Sequence, residues 1–109
     1  MYAQVTFLQV PLNQMPVLRD LIETRYLPIV RQRAGFKAGY LLEQIDDAET
    51  AQLVLFWDEH ASVESFNRTG MLQASLHALT AEMPDLIVHR DGYAVRLAVR
   101  ALPETMAVG

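Results

Sequence analysis

The stretch FKAGYLLEQIDDAETAQLVLFWDEH, residues 36–60, decides the fold. Phe36 to Ile45 is rich in apolar and aromatic residues and predicts a strand, weakened internally at Gly39. Asp46-Asp47-Ala48-Glu49 is a short polar connection, and Thr50 to Trp57 predicts the next strand, so the pair reads as a hairpin. In the second strand Ala51, Leu53, Leu55 and Trp57 form one face, yet Val54 and Phe56 keep the other face apolar as well. Such a strand needs cover on both sides.

Toward the N-terminus, Tyr2 to Val10 predicts a first strand in which Val5 and Phe7 alternate with Gln4 and Thr6. Pro11 ends it, and Asn13 stands where a helix cap is expected. From Met15 the apolar residues Leu18, Leu21, Ile22, Leu27, Ile29 and Val30 approximate one helical stripe. Pro28 should break or kink that helix near Leu27, and Gly35 should stop it. Toward the C-terminus, Asp58 is placed to cap a short helix reaching about Arg68, and Gly70 ends or hinges it. A second helical piece follows over Met71 to Met83, closed by Pro84. Tyr93, Val95, Leu97 and Val99 alternate with Ala94, Arg96, Ala98 and Arg100, which predicts a final strand from Gly92 with an extended lead-in over residues 85–90.

The order strand, helix, strand, strand, helix, strand predicts an α+β, ferredoxin-like βαββαβ fold, an antiparallel sheet with both helices on one face. Residues 1–100 form this single domain and residues 101–109 a C-terminal tail, loose or docked on a partner. The helices leave the other sheet face apolar and uncovered, which predicts a homodimer built across it.

With 51% apolar and 20% charged residues in 109, the chain fits one globular domain. No apolar run approaches a membrane span, and the opening MYAQVTFLQVPLNQ lacks the basic region and cleavage site of a signal peptide, so a cytoplasmic location without membrane contact is expected. Nine basic residues against 13 acidic ones, dispersed rather than striped, argue against nucleic acid as a partner. Cysteine is absent, which excludes disulfides, thiolate metal sites and thiol nucleophiles. His60, His77 and His89 lie 17 and 12 residues apart, no HExxH or GxSxG motif occurs, and the five glycines stand alone. Neither a metal nor any other cofactor is expected.

The runs LPIVRQRAGFKAGYLLEQ (residues 27–44) and QLVLFWDEHASVESFNRTG (residues 52–70), with the terminal strand, resemble the antibiotic biosynthesis monooxygenase-like proteins of the dimeric α+β barrel superfamily. The resemblance covers about residues 2–100, and its most telling pieces are the Gly35-Phe36 turn and Leu55-Phe56-Trp57-Asp58-Glu59 entering a helix that carries Phe66. It implies a barrel completed by a second copy. The family includes cofactor-free oxygenases of polycyclic phenols and quinone precursors, haem-degrading enzymes, quinone-modifying proteins and members without known activity. Leu53 stands where the polyketide oxygenases carry an Asn four residues before the strand Trp. The first strand lacks the Asn of the haem degraders, Phe66 stands in the register of their helix Trp, and His77 falls about one residue beyond their His. The pattern therefore points away from haem degradation.

The chemistry left open is that of an apolar pocket with a few polar groups. Phe7, Tyr40, Trp57, Phe66 and Leu72, with Met71 and Leu76, are expected to line a cavity between sheet and helices that suits a flat aromatic ligand; filling the core is their plainer role. Trp57 is assigned to stacking and His77 to proton transfer, because imidazole titrates near neutrality. Asn67 and Arg68 are candidates to bind a phenolate or carboxylate at the cavity mouth, and His89 and Arg90 are weaker ones. The expected function is cofactor-independent monooxygenation of a small electron-rich aromatic of the phenol, anthrone or hydroquinone type. The alternative is a non-catalytic dimeric ligand-binding module of the same fold.

Overall fold

The computed structural model describes residues 1–68, 77 and 79–103, apart from the side chains of residues 65–68. Strands β1 (Tyr2–Gln9), β2 (Phe36–Glu43), β3 (Thr50–Trp57) and β4 (Ile87–Ala94) form one sheet in the order β2-β3-β1-β4. All three pairings are antiparallel, the ferredoxin-like α+β arrangement that the element order predicts. Between β1 and β2 run α1 (Met15–Leu21), a π-helical turn over Ile22–Tyr26, and α2 (Leu27–Val30); after β3 comes α3 (His60–Arg68). Residues 79–82 are helical and lead through buried Met83 and Leu86 into β4.

The core lies between the helices and one face of the sheet. Ala51, Leu53, Leu55 and Trp57 meet Leu18, Ile22, Tyr26 and Val30 there, all buried. The first helix shows how Pro28 is accommodated. Proline has no N–H to donate and crowds the turn before it. The ladder widens by one residue ahead of it, where the Leu27 N–H donates to Ile22 O, and ordinary spacing resumes with Arg31 N–H to Leu27 O at 2.9 Å. The kink expected near Leu27 is thus a π turn that ends there. Asn13 does not cap this helix: it sits at φ 65° in a turn closed by Gln14 N–H to Pro11 O, and the cap position belongs to Gln14. Gly35 does stop the segment, at φ 85°.

The last strand lies further toward the N-terminus than the alternation suggests. β4 runs straight through Asp91-Gly92 without bulge or hairpin and ends at Ala94, opposite Tyr2. One more bond, Val95 N–H to Met1 O at 2.9 Å, closes the ladder. Leu97 and Val99 continue into an arm where they are more than nine-tenths exposed.

The face of the sheet away from the helices carries Val5, Phe7, Tyr40, Leu42, Val54 and Phe56, half-buried or exposed in the single chain. No helix among the described residues is long and apolar enough to cross a membrane.

Candidate functional site

Cross-strand register places a polar band on the face of the sheet that looks toward the helices. Tyr2 pairs with Trp57, Gln4 with Leu55 and Gly92, and Thr6 with Leu53 and Arg90. Trp57, Gln4 and Arg90 are therefore diagonal neighbours across β3, β1 and β4, at the ~7–8 Å spacing of such pairs. Gln4 and Thr6 are 3% and 2% exposed, and Trp57 is wholly buried with its ring edge-on to Phe36 at 5.5 Å. Gly92 stands beside them, and a Cβ there would run into the ring of Tyr2 and have to displace it. Above the band, the π turn carries Tyr26 into the core at 1% exposure.

The polar atoms of this band are only partly satisfied. Arg90 Nε donates to Thr6 Oγ1 at 3.3 Å, a long bond. Arg90 Nη2, Tyr26 Oη and Gln4 Oε1 are buried without a hydrogen-bond partner among the described residues. Leaving such a group unsatisfied costs about 1–3 kcal/mol each. Gln4 and Arg90 stand at diagonal strand positions and the Arg90 charge acts on Tyr26, so the three belong to one region of the interior. Burial pushes the Tyr26 phenol above its ordinary range, and the nearby Arg90 charge offsets part of that rise. At neutral pH Tyr26 is consequently a neutral hydroxyl, able to donate a hydrogen bond.

The residues selected from sequence fall into three groups. Trp57 belongs to the interior face. Phe7 and Tyr40 do not: antiparallel register puts both on the opposite face, where Phe7 lies 6.2 Å from the His89 ring and Tyr40 packs edge-on to Phe56. One cavity cannot be lined by Trp57 together with Phe7 and Tyr40, since successive strand side chains point to opposite faces. His77 is exposed on its helix and stands outside the buried band. The side chains of Phe66, Asn67 and Arg68, and all of Met71, Leu72 and Leu76, lie outside the described residues.

Gln4, Thr6, Tyr26 and Arg90 are what the sequence reading underweighted. Tyr26 follows Ile22 and precedes Val30 by four residues each, a spacing that places it on the helix's buried stripe. Gln4 and Thr6 carry no such signal, because polar residues in an alternating strand are ordinarily assigned to water.

The remaining surface offers less. A groove of about 270 Å³ runs over Phe7, Gln9, Thr50, Ile87 and His89. Its His89 is paired with Asp91 at 3.1 Å and is well exposed. No cluster of three or more metal-ligating side chains occurs among the described residues.

No family model matches the chain, and no curated protein matches it in sequence. Solved structures do match. A Deinococcus radiodurans protein named for the antibiotic biosynthesis monooxygenases superposes with TM-score 0.76 at 13% identity, over 94% of this chain and all of that one. SnoaB, a cofactor-independent oxygenase from Streptomyces nogalater, gives 0.74 at 15% identity, over 92% and 97% of the two chains. MhuD, a haem degrader from Mycobacterium tuberculosis with two haems bound in its active site, gives 0.72 at 18% identity, over 92% and 100%. The chain thus has the α+β fold of the antibiotic biosynthesis monooxygenase-like proteins.

Proposed function

We propose that the protein is a cofactor-independent monooxygenase that oxidises a small electron-rich aromatic, of the phenol, anthrone or hydroquinone type, with O2 and works as a homodimer. The observation that supports this reading is the buried band of Gln4 Oε1, Tyr26 Oη and Arg90 Nη2 in an otherwise apolar interior beside Trp57. Flat apolar surface with a few convergent polar atoms suits a ring that carries oxygen substituents. The likeness in fold to an oxygenase named as cofactor-independent points the same way.

The chemistry asks little of the protein. For an anthrone-type methylene, ionisation of the substrate gives an electron-rich carbanion that reduces O2 directly. The CH2 group becomes C=O, one oxygen atom enters the product and the other leaves as water, with no further reductant. Binding energy then serves to hold the ring, exclude water and stabilise the anion. The open apolar face supports the dimer, because a single chain leaves Tyr40 and Leu42 half or more exposed there.

An oxygen-electrode assay on a panel of anthrones, naphthols and hydroquinones tests the reading. Uptake is expected for at least one ionisable ring, unchanged by a metal chelator. Trp57→Phe should raise KM more than it lowers kcat. His77→Ala should escape the ~10²–10⁴-fold loss that follows removal of a general base, because that side chain is exposed. Ligand binding without uptake across the whole panel would instead support the non-catalytic module, which buried Leu53 favours by putting a hydrocarbon where an amide would add polarity.

A further inference from the structure

We infer that the interior site selects its ligand by charge, taking a flat aromatic that carries an oxyanion, a carboxylate or phenolate, with Arg90 as the residue that recognises it. The inference deepens the proposed function by naming the substrate class of the same site, and it rests on the interior face being where the ligand binds.

Arg90 is a cation carried on the inward face of β4, with Nη2 buried. Arg19 and Arg25 each meet an exposed carboxylate, Glu43 at 2.7 Å and Glu82 at 2.7 Å. Arg90 has no carboxylate partner among the described residues, and its hydrogen bond goes to a neutral hydroxyl, Thr6 Oγ1. That bond ties down Nε and leaves the outer edge of the guanidinium, the edge that grips carboxylates and phenolates, to serve something else.

The surroundings specify what that something is. Tyr26 acts on Arg90 closely enough for the two to be electrostatically linked, and its neutral hydroxyl supplies a second donor for the same anion. Its chain neighbour Asp91 is turned away: it belongs to the opposite face and engages His89. On the inward side of the sheet Gln4 offers an acceptor, Oε1, which fits a ring hydroxyl. Around these groups Trp57, Leu53 and Leu55 are apolar and buried, which matches an aromatic body and not a bare inorganic anion. A neutral ring would leave buried Nη2 without a charged partner; an aromatic oxyanion supplies one.

The test is a binding experiment with ligands that cannot be oxidised, so that its failure is distinct from failure of the oxygenase reading. 2-Naphthoate, its neutral isostere 2-naphthamide, and acetate are titrated against the whole protein. The readout is the fluorescence of Trp57, the only tryptophan in the chain, with calorimetry in parallel. The wild type should bind 2-naphthoate about tenfold or more tighter than 2-naphthamide. The preference should survive high salt, because a buried pair is weakly screened. Arg90→Met, which keeps the apolar stem, should bind both naphthalenes alike. Arg90→Lys should keep part of the preference, which shows that charge and not folding is being read. Equal binding of acid and amide by the wild type would overturn the inference, as would a preference retained in Arg90→Met. Failure of both naphthalenes to bind, or acetate competing as well as naphthoate, would overturn it too.

Discussion

Asp58 shows at the scale of one residue how a short polar side chain sets a junction. Its Oδ1 accepts from the Glu59 N–H and the Ser62 hydroxyl, both at 2.7 Å, while its own N–H donates to Gly35 O at 2.8 Å. The Ser62 hydrogen bond foremost, with the Glu59 N–H and the Lys37 charge, holds its carboxyl below the usual range. A group whose pKa is depressed by folding stabilises the fold above its unfolded value, about 3.9, and loses that contribution as pH falls through the folded value. Asp58→Ala should therefore lower the melting temperature at pH 7, and the gap from wild type should close as melts are taken toward pH 3. A gap that stays constant over that range would contradict the assignment. This junction was legible from Asp58 standing before an amphipathic run. The interior polar residues were not. Gln4 and Thr6 alternate with Val5 and Phe7, and a period of two tells which residues share a face but not which face is inside. Polar residues point inward here because both faces of the sheet have apolar demands, so hydrophobicity no longer distinguishes core from surface.

At the scale of elements, β2 and β3 stand close to where the sequence places them, and β3 matches its expected bounds of Thr50 to Trp57. The hairpin connection is tied by Asp47, whose carboxylate accepts from the Glu49 N–H at 2.9 Å and the Thr50 hydroxyl at 2.7 Å. Gly35, between α2 and β2, is the element boundary most exposed to mutation. It holds φ 85°, and a Cβ there would strike Ser62 and Asp58. Gly35→Ala should cost about 1–3 kcal/mol, read as a lower urea midpoint with an unchanged m-value; an unchanged midpoint would count against the close packing of this turn on α3. Two details at this scale were not legible, each for its own reason. Pro28 announces a disruption but not its form, since a π turn absorbs the missing donor as well as a break does. The Tyr93 to Val99 alternation announces extended chain, but pairing needs a partner strand, and β1 ends opposite Ala94.

For the whole molecule, the proposed association with a second copy would cover the apolar outer face, where Tyr40 and Leu42 are exposed, and the exposed arm beyond Ala94. A dimer across that face should bury on the order of 1,200–2,000 Å² or more. Phe56→Lys, on the outer face and away from the core, should give a folded monomer by sedimentation while the wild type sediments as a dimer. A wild-type monomer at micromolar concentration would contradict the association. Leu97→Lys bears on the arm alone, because Leu97 makes little contact within its own chain at 91% exposure.

The account stands most directly on where the oxygen goes. The measurement is mass spectrometry of product formed under ¹⁸O2 by chelator-treated protein, with oxygen uptake followed in the same vessel, on whichever ring of the panel turns over. The account predicts one labelled oxygen atom in the product carbonyl and one O2 consumed for each product formed. Product oxygen drawn from water, or turnover that stops when metal is removed, would contradict it.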